Sequence, residues 1–222
     1  MRRIVSRSRS IATGKYPSLR MQRWLHWESQ AERDGQRLVD VAPRIRSLCE
    51  QPLAVDYGDE AQCLEHIPDL LIRFDDGIPW LVEFKTDDDP HLPFAMARAR
   101  LLRQPLLELG FRYLVVLWST LKSGSYLANA TWLRRYGNMP LNLVQRERAK
   151  NLFVKFGELC PPAFCTGFGT PGEGRRVLAA LMKSGEVDTD MNRPIDEESV
   201  LRWCEFGTGD ESWLSAAFGV TK

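Results

Sequence analysis

The stretch Ile67-Pro68-Asp69-Leu70-Leu71-Ile72-Arg73-Phe74, Asp75-Asp76-Gly77, then Ile78 to Lys85, constrains this fold more than any other. Two runs rich in aliphatic and aromatic residues flank a short polar turn. Glycine supplies the positive φ that a tight turn needs, so residues 67–74 and 78–85 read as a β-hairpin. Strand side chains alternate with period two. Glu83 and Lys85 therefore share one face, and Val82 and Phe84 the other. With the turn centred near Asp76, Asp69 lies opposite Glu83 or Phe84. Two carboxylates and an ammonium converge at the open end of one hairpin.

The neighbouring segments extend this core. Ser29 with Glu32 three residues later predicts a helix start, and the pattern runs through Leu38 and Val39 to a break at Pro43. Residues 53–57 read as a short extended piece and 58–66 as a polar loop. Phe94 to Leu109 reads as a helix stopped by Gly110, and Tyr113 to Trp118 as a buried strand. Residues 157–174 are rich in Gly and Pro and cannot be regular throughout. Arg175 to Lys183 follows as a helix with a Val177, Leu178, Leu181 stripe, broken by Gly185. A further short helix is expected near Glu197 to Trp203, and a domain boundary between 120 and 140.

With 222 residues, 44% of them hydrophobic, the chain can bury a core in one medium domain or two small ones. Its longest uncharged apolar run, Tyr113 to Leu121, is too short to span a bilayer. No apolar stretch follows the basic first residues, so the expected compartment is cytoplasmic, with no membrane partner. The five cysteines include no C-x-x-C pair and read as reduced, mostly buried thiols. His26, His66 and His91 share no metal spacing. The tryptophans read as core, except Trp24 and Trp27 near the basic segment. No G-x-x-x-x-G-K-[ST] loop occurs, so no nucleotide cofactor is expected.

The net charge of +1 hides an uneven distribution. Residues 1–27 carry seven bases (Arg2, Arg3, Arg7, Arg9, Lys15, Arg20 and Arg23) and no acid, leaving 23 bases against 29 acids elsewhere. Such a Ser-rich basic arm is either a phosphate-binding segment or a solvated terminus. A second basic cluster spans Arg134 to Lys155. The stretch from Lys183 to Glu211 is acidic and suits a protein partner or water rather than DNA.

Adjacent carboxylates repel unless a cation lies between them. A hard ion such as Mg²⁺ takes oxygen ligands, polarises a phosphodiester and activates a bound water, while a nearby lysine stabilises developing charge. The structural alternative is a surface salt bridge between Glu83 and Lys85.

Trp27-Glu28-Ser29-Gln30-Ala31-Glu32, Glu50-Gln51-Pro52, Pro68-Asp69 and Glu83-Phe84-Lys85 occur in that order at compact spacing. Together with Thr13-Gly14-Lys15, this resembles the TnsA family, the endonuclease subunit of Tn-seven-like cut-and-paste transposons. The match covers roughly residues 1–120. The resemblance implies an α/β fold: a restriction-endonuclease-like PD-(D/E)xK core, with a mixed central sheet flanked by helices, and a small, mostly helical, winged-helix-like C-terminal domain. The expected division is a basic arm over 1–25, the core over 26–125 and the C-terminal domain over 126–222.

Carried over, Glu32, Asp69, Glu83 and Lys85 are the catalytic set. Asp69 is the principal metal ligand, with Glu83 and Glu32 beside it, and Lys85 is the catalytic lysine. Glu32 also has a capping role, Glu28 is a neighbouring alternative and Gln51 lies near the site. The implied cofactor is Mg²⁺, with Mn²⁺ substituting. The implied activity is nicking of the non-transferred strand at the transposon ends. The implied partners are transposon-end DNA, a transposase subunit of the DDE class and an AAA+ ATPase regulator, acting at the bacterial nucleoid. The alternatives are a stand-alone restriction or repair nuclease and a catalytically silent DNA-bridging assembly factor.

Overall fold

The structure, a computed structural model, describes residues 13–58, 63–204 and 212–220. Four strands form its central sheet: β3 (Ile45–Glu50), β6 (Leu70–Phe74), β7 (Trp80–Lys85) and β8 (Arg112–Leu117), in the order β3-β6-β7-β8. The first three are antiparallel neighbours, and β8 joins β7 in parallel. Gly77 turns the β6–β7 hairpin at φ 100°. A parallel partner requires a crossover, which is α2 (Leu92–Glu108). This mixed sheet flanked by helices is the α/β architecture expected from the sequence.

Alternation along the strands builds two apolar faces. Leu70, Ile72, Phe74, Trp80, Val82, Phe84 and Val116 pack in the larger core, against α1 (Gln30–Val41). Leu71, Leu81 and Tyr113 face Ala99, Leu102 and Leu106 of α2. Helix α1 begins where the sequence places it. The Ser29 hydroxyl accepts the Glu32 N–H at 3.1 Å, and Ala42, in extended backbone just before Pro43, ends the helix. Gly35 lets α1 approach β7 closely, since a Cβ there would lie 2.3 Å from the Phe84 ring.

Two small hairpins flank the sheet. In the first, β1 (Gly14–Ser18) pairs with β2 (Arg23–Trp27). Much of the segment read as a basic arm is thus a docked hairpin, with Tyr16 and Leu25 buried in the larger core. Its anchor is Asp40, at the end of α1. The Tyr16 and Ser18 hydroxyls, the Leu19 and Arg20 N–H groups and the Arg134 guanidinium all donate to its buried carboxylate. Residues 1–12, including Arg2, Arg3, Arg7 and Arg9, lie outside the described residues. In the second, β4 (Val55–Gly58) pairs with β5 (Cys63–His66). The sequence reads 58–66 as loop because Cys63-Leu64-Glu65-His66 carries no apolar alternation. Cross-strand pairing with β4 overrides that weak local signal.

The rest is mostly helical: α3 (Trp118–Lys122), α4 (Tyr126–Tyr136), α5 (Leu143–Phe156), α6 (Pro161–Thr166), α7 (Pro171–Ser184) and α8 (Trp213–Ala217). Helix α7 is the hub, with Val177 to Met182 all buried. At Gly174 a Cβ would meet the α6 backbone at Cys165 within 2.6 Å, so glycine permits that contact. Between α5 and α6, Leu159 bridges Leu201, and β9 (Val187–Asp188) pairs with β10 (Arg202–Trp203). The short helix expected over 197–203 is instead a turn leading into β10. There the Asp196 carboxylate accepts the Glu198 N–H, and the Ser199 hydroxyl accepts the Asp196 N–H. These local bonds compete with helix formation. The larger core runs without interruption from α1 and the sheet into α7 and α8. Phe218, just past α8, packs edge-on to Phe84 with ring centroids 5.7 Å apart.

All five cysteines are free thiols, as expected, but Cys49 and Cys63 are exposed and the other three half-buried. The expectation of burial fails because Cys49 lies on an edge strand and Cys63 on the outlying second hairpin. Among the described residues, no helix is long and apolar enough to cross a membrane.

Candidate active site

The site lies where β6 stops and β7 continues. Pro68 has no N–H to give a ladder, so β6 begins only at Leu70, paired with Val82. Strand β7 runs three residues further on β8, pairing Glu83, Phe84 and Lys85 with Val115, Val116 and Leu117. Continuing the register by one residue sets Asp69 across from Glu83. With no β6 carbonyl to meet it, the Phe84 N–H donates to the Asp69 carboxylate at 2.7 Å. Behind Asp69, the Gln51 N–H donates to its carbonyl, so Gln51 contributes backbone support.

Glu32 arrives from the first turn of α1, its carboxylate accepting the Glu28 N–H at 2.9 Å. Burial pushes its carboxyl above the ordinary value, and the charge of Glu28 adds to the rise. Asp69 is driven well above the usual aspartate range, by burial first and by the charges of Glu32 and Glu83 after it. The charge of Lys85 acts on both acids and partly offsets the rise. Its ammonium is 3.2 Å from Glu83 Oε1 and 3.5 Å from Asp89 Oδ2. Burial pulls it down, but Glu83, Asp69 and Asp89 together hold it above the ordinary lysine value. Of the four residues named from the sequence, Lys85 and Glu83 are in contact, and Asp69 feels the charges of Glu32, Glu83 and Lys85.

Three further residues enclose Glu83. One Arg98 nitrogen reaches both of its carboxylate oxygens at 2.6 Å. The Tyr113 hydroxyl donates to Oε2 at 2.7 Å, and His66 Nε2 is 3.4 Å from the same oxygen. Burial opposes the Glu83 charge, yet the bonds from Arg98 and Tyr113 hold its carboxyl below the usual range. Arg98 has a sequence signal, since it falls on the buried α2 stripe of Ala95, Ala99, Leu102 and Leu106. A lone cation in an apolar stripe calls for a buried anion. Tyr113 reads only as a strand residue, and His66 lies in what reads as loop.

The residues expected to bind DNA are dispersed. Lys15 is exposed on β1. Arg20 donates to the carbonyls of Ala42 and Ile45 and so ties the first hairpin to the end of α1. Arg23 pairs with Glu50. In the second cluster, Arg134 turns inward to Asp40 and Arg146 pairs with Glu186, while Arg148, Lys150 and Lys155 are exposed.

Among the described residues, no three His, Cys, Asp or Glu side chains form a ready-made ligand set. The acid pair still suits a hard divalent ion. Mg²⁺ is commonly held by one or two carboxylates, with waters and substrate phosphate completing its shell. Glu32 and Asp69, both disfavoured as bare anions here, offer that chemistry. No family model matches the chain, and no curated protein matches it at a significant level.

Proposed function

We propose that this chain is a metal-dependent DNA endonuclease. The observation that carries the reading is Asp69, a carboxylate placed beside Glu32 and Lys85 at the open end of the hairpin and strongly disfavoured as an anion. A carboxylate perturbed by burial together with specific charged neighbours is a candidate functional group.

Glu32 and Asp69 would hold Mg²⁺ or Mn²⁺. When bound, the ion supplies Lewis acidity to a phosphodiester and lowers the pKa of a water. Lys85 stays protonated at neutral pH, so it donates hydrogen bonds and does not act as the base. From beside the acid pair it orients the attacking water or steadies the charge growing on phosphate oxygen. The Phe84 N–H fixes the direction of the Asp69 carboxylate. Water gives up a proton to solvent as it adds to phosphorus, one phosphorus–oxygen bond breaks, the departing oxygen takes up a proton, and the nick is left with a phosphate on one side and a hydroxyl on the other.

The transposon setting rests on the resemblance of 1–120 to the TnsA family. On that reading the chain nicks the non-transferred strand beside a DDE-class transposase and answers to an AAA+ ATPase. The order α5, bridge at Leu159, α6, α7, β9, β10 supports a winged-helix-like unit, with β9–β10 as the wing. The test is cleavage of labelled transposon-end DNA across Mg²⁺ concentrations, with and without the transposase. Asp69→Ala or Lys85→Ala should remove the nick while leaving the fold intact. Full cleavage by Asp69→Ala rejects this site. Cutting without any partner points to a stand-alone nuclease, and an Mg²⁺-indifferent melting curve to a silent assembly factor.

A further inference from the structure

A carboxylate has about four lone-pair positions. At Glu83 protein groups take them all. Arg98 takes one on each oxygen, Tyr113 a second on Oε2, and Lys85 approaches Oε1 at 3.2 Å, with His66 3.4 Å from Oε2. The carboxylate is nearly inaccessible, its side chain 3% exposed. A divalent ion here would have to displace a guanidinium or an ammonium and then sit beside it. Asp69 and Glu32 differ, each accepting one backbone N–H.

We infer that Glu83 is a positioning residue and not a metal ligand: Arg98 and Tyr113 lock its carboxylate, which holds the Lys85 ammonium toward the Glu32–Asp69 pair. This deepens the endonuclease reading and rests on it, but divides the acids differently from the resemblance. Arg98 supplies the permanent positive charge that an ion would supply at Glu83. Of the three acids that the resemblance names as ligands, Glu32 and Asp69 remain for the exchangeable ion, so the chain should take up one ion at this site.

The test uses the full chain, Mn²⁺ as probe and two readouts that need no cleavage. Mn²⁺ binding is followed by electron paramagnetic resonance in wild type, Glu83→Gln and Asp69→Asn. The Lys85 NH₃⁺ group is followed by ¹⁵N-edited NMR, assigned with Lys85→Arg. We expect Glu83→Gln to shift the Mn²⁺ midpoint less than about twofold and Asp69→Asn to shift it tenfold or more; tenfold is about 1.4 kcal/mol. The exchange-protected Lys85 signal should vanish in Glu83→Gln. If Glu83→Gln unfolds because Arg98 is left unpaired, Glu83→Gln/Arg98→Gln removes both partners and takes the same measurements.

A tenfold weaker midpoint in the Glu83 variants, or an unchanged Lys85 signal, overturns the inference and leaves the endonuclease reading standing. Wild-type chain that binds no Mn²⁺ overturns both.

Discussion

The surroundings of Asp69 resist its charged form, and the cost should show in stability. An acid with a raised value in the folded chain holds its proton there after the unfolded chain has released it. Folding is therefore favoured below the ordinary aspartate value and loses stability as pH rises from there through the raised one. Without metal, Asp69→Asn should escape that loss and melt higher than wild type at neutral pH. The expected gain is on the order of 1 kcal/mol, or roughly 2–4 °C in a chain this size. Melting curves across pH check this, and a lower melting point for Asp69→Asn at neutral pH contradicts it. His66 works in the opposite sense. Burial, aided by Arg98 and Lys85, outweighs the pull of Glu83 and lowers its value from 6.5 to about 4. Its contribution is complete above the ordinary histidine value and is lost as pH falls toward about 4. A ring-proton NMR titration should show His66 neutral down to about pH 5; a midpoint near the ordinary 6.5 refutes this burial argument. Asp69, Glu83 and Lys85 are legible in the sequence because hairpin register and strand period bring them together, whereas Glu32, on α1, enters only through the resemblance. The enclosure of Glu83 is not, since His66, Arg98 and Tyr113 reach it from three separate elements.

The same division holds for the elements. Long segments with strong local signals were legible: the capped α1, the β6–β7 hairpin, α2 before Gly110, and α7 before Gly185. Short elements depend on distant pairing. β5 exists because β4 does, and β10 because β9 and Leu159 do. Close approach between elements was also hidden, and Gly35 gives a measurable case. Alanine is the better helix former by about 1 kcal/mol, so an isolated α1 would gain from Gly35→Ala. In the protein the new Cβ meets the Phe84 ring at 2.3 Å, and overpacking costs about 1–3 kcal/mol. We expect net destabilisation in urea, together with slower nicking because Phe84 lies between Glu83 and Lys85. A more stable, fully active Gly35→Ala would show that the ring yields freely.

At the scale of the molecule, the sequence suggests two halves and the packing joins them. Composition changes after residue 120, but the larger core does not stop there. Tyr16 and Leu25 from the first hairpin, Trp80 and Phe84 from the sheet, Val177 and Leu178 from α7 and Phe218 all belong to it. No local pattern could reveal this, because residue 218 meets strand β7 only in the folded chain. Phe218→Ala removes the ring that touches both Trp80 and Phe84. The expected loss is about 3–5 kcal/mol in chemical denaturation, with one shared unfolding transition for the hairpin side and the α7 side. Two separated transitions would show that the halves fold independently.

That contact also sets an order of events during synthesis. The ribosome releases Phe84 long before Phe218, so the nascent chain carries β7, with Lys85 at its end, while that strand still lacks its far-side cover. The far-side packing of that strand is therefore completed only when one of the last segments to leave the ribosome folds back onto it.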